Sequence, residues 1–236
     1  MTARSIAIIY KREFKTFFTS PGAYIIISLF LIITGWFFFA SFFLEGRADM
    51  RNFFALLPII FAFSIPAVAM RLFSEEFKSG SFEILKTLPV SDLDIIAGKY
   101  LASLLFALIM LAPTLVYPVF ISTLGDLDWG PVVGGYIGAI FLAGAFSAIG
   151  VFASSTTKNQ VVAFIISASI CFFLTVINQS LVFLPAFLTG FLQYLSTSYH
   201  FSNVAKGIID SRDIIYFLTL IFITLYATYL INKERS

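Results

Sequence analysis

Between Gln160 and Tyr199 the chain carries no charged side chain at all. That is roughly twice the 20 or so residues one crossing of a bilayer's hydrocarbon requires. Comparable runs recur along the sequence and predict six spans, at 21–44, 52–71, 100–124, 131–153, 160–178 and 213–232. Composition agrees. Apolar residues make up 59% of the 236 and charged residues 12%, against about 45–50% and 25% in soluble domains. One globular core of this size cannot bury that excess, so a lipid-facing surface must carry it. The first run is too long for the apolar core of a cleaved signal and has no small-x-small site after it, so it reads as the first span.

The second half of the long uncharged stretch does not suit lipid. Asn178, Gln179, Pro185, Gly190, Gln193 and the cluster Ser196–Thr197–Ser198 would expose polar and helix-breaking groups there. Residues 181–209 therefore read as short outer helices or a re-entrant hairpin. Six spans put both ends of the chain on one side, and Lys/Arg bias selects the cytoplasmic one. With that orientation Arg4, Lys11, Arg12, Lys15, Arg71, Lys78, Lys86, Lys99, Lys158, Lys233 and Arg235 lie inside. Only Arg47, Arg51, Lys206 and Arg212 lie outside, among Glu45, Asp49, Asp126, Asp128, Asp210 and Asp213. Residues 1–20 precede the first span as a basic amphipathic helix. Ile6, Tyr10, Phe14, Phe17 and Phe18 fall on one face and Arg4, Lys11, Arg12 and Lys15 on the other, as suits the headgroup plane.

Several chemistries are excluded. No Gly-x-x-x-x-Gly-Lys-Ser/Thr loop occurs to cradle nucleotide phosphates. A net charge of +2 does not imply nucleic acid. The only histidine, His200, has no second histidine with which to share a metal and reads as solvated or interfacial; Cys171 reads as a packing residue. No metal site and no bound cofactor are expected. No Asp, Glu, Lys or Arg falls mid-span, which argues against an ion-coupled carrier and places the energy source on another chain. No paired catalytic groups fall in the spans, so the chain is not expected to be an enzyme.

The one sizeable cytoplasmic segment, 72–98, is punctuated like an elbow. Ser74 can cap a helix whose first turn holds Glu75 and Glu76; Gly80 breaks it, and Ser81 can cap a second containing Phe82, Glu83, Ile84 and Leu85. Pro89 ends that helix, and Ser91 with Asp94 forms a capping-box pattern opening the next. A simple connection needs far less, as the run Ser154–Asn159 illustrates. In the fourth span Gly135, Ala139, Ala143 and Ser147 recur at four-residue spacing, as do Gly130, Gly134 and Gly138, letting helices approach closely within the bundle or against a second subunit. Asn178, Gln179 and His200 are the candidates for an outer gate or an accessory-protein contact.

The run Glu76-x-x-x-Gly80-Ser81-x-Glu83-x-Leu85-x-x-x-Pro89-Val90-Ser91, with Lys99 leading into the next span, resembles the signature loop of type-2 ABC exporter permeases. That family usually has Thr at the position of Ser81. Ser20–Tyr24, Ile65–Arg71 and Ala148–Ser154 are most similar to gliding-motility-associated permeases. The resemblance covers essentially the whole chain and implies an all-α permease of a bacterial cytoplasmic (inner) membrane, working beside a second, identical or related permease subunit. Separate ATPase subunits would carry the ATP and Mg and dock on 72–98. Glu76 and Glu83 would be polar docking groups, Phe82 and Leu85 apolar plugs. An accessory protein with an outer domain is a further implied partner. Two other readings compete: a mechanotransmitting subunit acting on an outer partner without moving cargo, and a secondary carrier, for which inverted repeats and midplane ionisable groups are missing.

Overall fold

The computed structural model describes residues 3–45, 49–87, 89–180, 186–208 and 210–234. Every element among them is helical: α1 (Ala3–Thr19), α2 (Pro21–Glu45), α3 (Arg51–Ala69), α4 (Arg71–Ser79), α5 (Ser81–Lys86), α6 (Asp92–Leu111), a 3-10 turn (Ala112–Leu115), α7 (Val116–Ser122), α8 (Trp129–Thr156), α9 (Gln160–Ser180), α10 (Ala186–Leu195), α11 (Thr197–Ala205) and α12 (Ser211–Glu234). Six stretches are long and apolar enough to cross a membrane: Pro21–Leu44, Arg51–Ser79, Asp92–Ser122, Trp129–Thr156, Gln160–Gln179 and Ser211–Glu234.

α8 is the central post. Of its most apolar window 78% is buried, against 17% for the first span and 11% for the last. It packs on α3, α6, α9, α11 and α12. Its small residues make this possible. A side chain at Gly135 would collide with the Phe54 ring, one at Gly150 with Ala69, and one at Gly134 with the Val204 carbonyl. Ala139, Ala143 and Ser147 are fully buried, so this stripe packs against the chain's own α3 and α11. Apolar all round, α2 and α12 turn Ile32, Trp36, Phe43, Phe222 and Tyr226 outward, as helices at a lipid boundary do.

The third span is not one straight helix. Pro113 lacks the N–H that an α-helix interior needs, and the backbone tightens to 3-10 geometry over Ala112–Leu115 before α7 resumes. It also begins earlier than 100, because Ser91 and Asp94 close a reciprocal capping box that starts α6 at Asp92. Likewise α8 runs through Thr156, past the expected end at 153. α10 and α11, of 10 and 9 residues, are each about half the length a span needs. Arg47, Pro185 and Arg235 lie outside the described residues.

Candidate functional site

The site begins where α1 lies against α6. A Cβ at Gly98 would sit 2.8 Å from Ile9 Cγ2, so glycine there lets the two helices touch. The face α1 turns inward is Ile9, Glu13 and Phe17, spaced four residues apart, with Tyr10 and Phe18 at its margin. An acid sits in the middle of that apolar stripe because of what meets it. Lys99, the residue after Gly98, is fully buried and places Nζ 3.0 Å from Glu13 Oε1 and 2.9 Å from Glu76 Oε2. Lys99 Nζ also donates to the Leu72 carbonyl. Arg12 completes the cluster, 2.6 Å from Glu13 and paired with Glu76 as well. Two cations thus balance two carboxylates, the condition for keeping charge out of water. Burial alone would raise the Glu13 pKa, and Lys99 and Arg12 outweigh it, so the group lies below its ordinary range.

Glu13 went unnoticed in the sequence because the cations around it set the character of that segment. The available signal was an acid at i+4 from Ile9 and i−4 from Phe17, on the apolar side of the helix. Glu76, expected to face a partner, instead keeps only 14% of its side chain exposed and belongs to this cluster.

The elbow itself is α4 and α5, joined at Gly80. Gly80 has φ of 72°, the left-handed conformation that ends a helix and that side chains disfavour. Ser74 does not cap α4. The helix starts at Arg71, three residues earlier, and Ser74 Oγ turns back to bond the Met70 carbonyl. The capping role falls to a distant residue: Ser154 Oγ of α8 accepts from Phe73 N at 2.9 Å and Ser74 N at 3.1 Å, and donates to the Met70 carbonyl at 2.8 Å. Nor does Ser81 cap α5, since it is the first helical residue and its hydroxyl meets Ser79 Oγ at 2.9 Å.

Phe82 and Leu85 are also placed differently from expectation. Both are buried, and Phe82 packs edge-on to Phe77 and Phe73, so these residues fasten α5 to the chain's own bundle. What α4 and α5 leave exposed is Glu75, Lys78, Ser79, Glu83 and Ile84, the last 70% accessible, with Gly80 exposed between them. α5 ends at Lys86, before Pro89, and Lys86 Nζ donates to the Asn232 carbonyl at 3.1 Å. The elbow is therefore tied to α1, α6, α8 and the end of α12.

A six-span bundle with this elbow at one end matches a family model described as ABC-2 family transporter protein over residues 22–232. The chain belongs to that family. Comparison with curated proteins gave no match. ABC-2 proteins are the membrane components of ABC transporters and are not themselves catalytic, so this chain is an ABC permease subunit and a multi-pass membrane protein.

At the opposite end of this ABC-2 permease, Asn178 and Gln179 line a cavity of about 320 Å³ together with Arg51, Ser198, Ser202 and Lys206. His200 does not share it. It is buried rather than solvated, with Nδ1 2.6 Å from Asp213 Oδ1 and Nε2 3.0 Å from the Tyr194 carbonyl. The Tyr216 ring stacks on it at 4.0 Å. The Asp213 carboxylate and the Tyr194 carbonyl thus face the two ring nitrogens. The pair fastens α11 to the start of α12. Among the described residues no group of His, Cys, Asp and Glu side chains could hold a metal. Cys171 is a buried free thiol.

Proposed function

We propose that this chain is the permease subunit of an exporter whose elbow, α4 and α5, receives force from a separate ATPase subunit that carries the ATP and Mg. One observation carries the reading: Glu83 and Ile84 stand exposed on a helix whose Phe82 and Leu85 are locked into the bundle. An apolar side chain 70% accessible beside an acid suits a partner's groove. A push there would reach α1 and α6 through Lys99, α8 through Ser154 and α12 through Lys86.

In this reading both termini and the elbow face the cytoplasm of a bacterial inner membrane, and a second permease subunit, identical or related, completes the pathway. The subgroup that best fits Ser20–Tyr24 and Ile65–Arg71 is the gliding-motility-associated permeases. Glu75, Glu76, Gly80, Ser81, Glu83 and Pro89 serve coupling, with Glu76 acting from inside the ion cluster. Asn178 and Gln179 are the proposed outer gate.

The test is transport and ATPase activity in the reconstituted complex. Glu83→Ala and Gly80→Pro should abolish transport and uncouple ATP hydrolysis while membrane insertion persists. Normal transport by both variants would sink the coupling role. An ATPase that hydrolyses in step with the elbow, in a complex that moves nothing, would favour the mechanotransmitting alternative.

A further inference from the structure

The face between α2 and α3 is apolar along most of its length and charged at one end. A cavity of about 390 Å³ runs between the two helices, lined by Ile26, Ile33, Ile60, Phe63 and Ala67 among others. That volume lies within the range of small-ligand sites, about 300–1,000 Å³. The one hydroxyl in it, on Ser64, already donates to the Ile60 carbonyl at 2.8 Å, so the side chains of the cleft offer a ligand no free hydrogen-bond donor. A second cavity of about 240 Å³ continues from it, sharing Ile26 and Ala67, and ends at Arg71.

Arg71 differs from the neighbouring cations. Lys99 and Arg12 are held by Glu13 and Glu76, whereas among the described residues no carboxylate oxygen lies within 4.0 Å of the Arg71 guanidinium. Glu75 and Glu13 act on it only from longer range. Its contacts are a 3.4 Å bond to the Thr16 carbonyl and the face of Phe17, 5.0 Å away. A guanidinium has five donors, so most are left for an anion. Thr16 and Phe17 belong to the amphipathic α1, and a helix of that kind lying in the headgroup plane would set Arg71 at the depth of phospholipid phosphates.

We propose that the α2–α3 cleft seats a resident anionic phospholipid, its phosphate on Arg71 and one acyl chain along Ile26, Ile33, Ile60, Phe63 and Ala67. Charge complementarity selects the occupant: an uncharged apolar chain would leave Arg71 uncompensated, and a free anion would leave the apolar cleft unfilled. The lipid would wedge the turn from α1 into α2 against the end of α3. This proposal does not depend on the coupling role of the elbow.

Photolabelling of the full-length chain tests it, in phosphatidylcholine vesicles doped with phosphatidylglycerol carrying a diazirine in one acyl chain. Adducts on the cleft residues of α2 and α3 should exceed those from the matching phosphatidylcholine probe about tenfold, the value of one charged hydrogen-bonding contact. Arg71→Gln should bring them down to the phosphatidylcholine level, and Arg71→Lys should keep most of them. Ile33→Trp fills the cleft at a residue that does not line the Arg71 cavity and should lower labelling with Arg71 intact. That variant carries the test if Arg71→Gln fails to fold. Adducts on the exposed Ile215 and Phe222 of α12 should not change. Equal labelling by the two probes, unchanged cleft labelling in Ile33→Trp, or displacement by inorganic phosphate would overturn the proposal.

Discussion

Lys99 Nζ sits 3.0 Å from Glu13 Oε1, a buried ion pair joining the helix before the first span to the helix of the third. Removing one member of such a pair leaves the other as an uncompensated buried charge, at a cost of about 3–5 kcal/mol. Lys99→Met should therefore lower the thermal midpoint of the detergent-solubilised chain strongly. Adding Glu13→Gln and Glu76→Gln should recover part of the loss. If the triple variant melts lower than Lys99→Met alone, the cluster is not held by charge balance.

The same pair sets an acid limit. Glu13 is held below its ordinary range because Lys99 and Arg12 together outweigh the effect of burial. The folded chain thus binds that proton less readily than the unfolded chain, and stability rises with pH through the window. The contribution of Glu13 is complete above the ordinary glutamate value of about 4.3 and is lost as pH falls through the lower folded value. Thermal melts should show no loss from this group between pH 8 and pH 5. Below about pH 4 the midpoint should fall, and Glu13→Gln should fall less steeply there than the unaltered chain.

Gly98 governs how closely α1 approaches α6. Its missing Cβ would lie 2.8 Å from Ile9 Cγ2 and 3.3 Å from the Ile6 carbonyl. Gly98→Leu should lift α1 from the bundle at an overpacking cost of about 1–3 kcal/mol. Limited proteolysis reads this out as faster cleavage at Lys11 and Lys15. Gly80→Ala is the contrast: its Cβ would meet nothing within 4 Å, so its cost comes only from the left-handed backbone.

Much of the architecture was legible because hydrocarbon imposes a length and a composition that no soluble fold shares. The capping box at Ser91 and Asp94 was legible too, since both partners lie within one turn. Long-range partners were not. Ser154 satisfies the start of α4 from 80 residues away, and no local pattern announces it. Phe82 and Leu85 read as plugs because an amphipathic six-residue helix does not declare which face meets its own bundle. Pro113 was visible, yet its 3-10 turn lies inside an otherwise unbroken apolar run.

At the end of the bundle away from the elbow, Asp213 is 3% exposed and depends on His200. His200→Phe preserves the ring stacked on Tyr216 but leaves the carboxylate buried without its partner. It should destabilise the chain by about 1–3 kcal/mol or more, the penalty of an unsatisfied buried group. Asp213→Asn, which removes the charge, should cost less. A reversed order in thermal melts would mean that the ring stack, and not the pairing, holds α11 to α12.

The central claim is that the exposed edge of α5 is where an ATPase applies force. Site-specific photocrosslinking from position 84, in native membranes, tests it directly. A probe replacing Ile84 should join the chain to an ATP-binding subunit, whereas a probe at Phe222 on the lipid-facing side of α12 should not. Crosslinks from position 84 only to lipid or to the chain itself, while the complex remains assembled, would contradict the account.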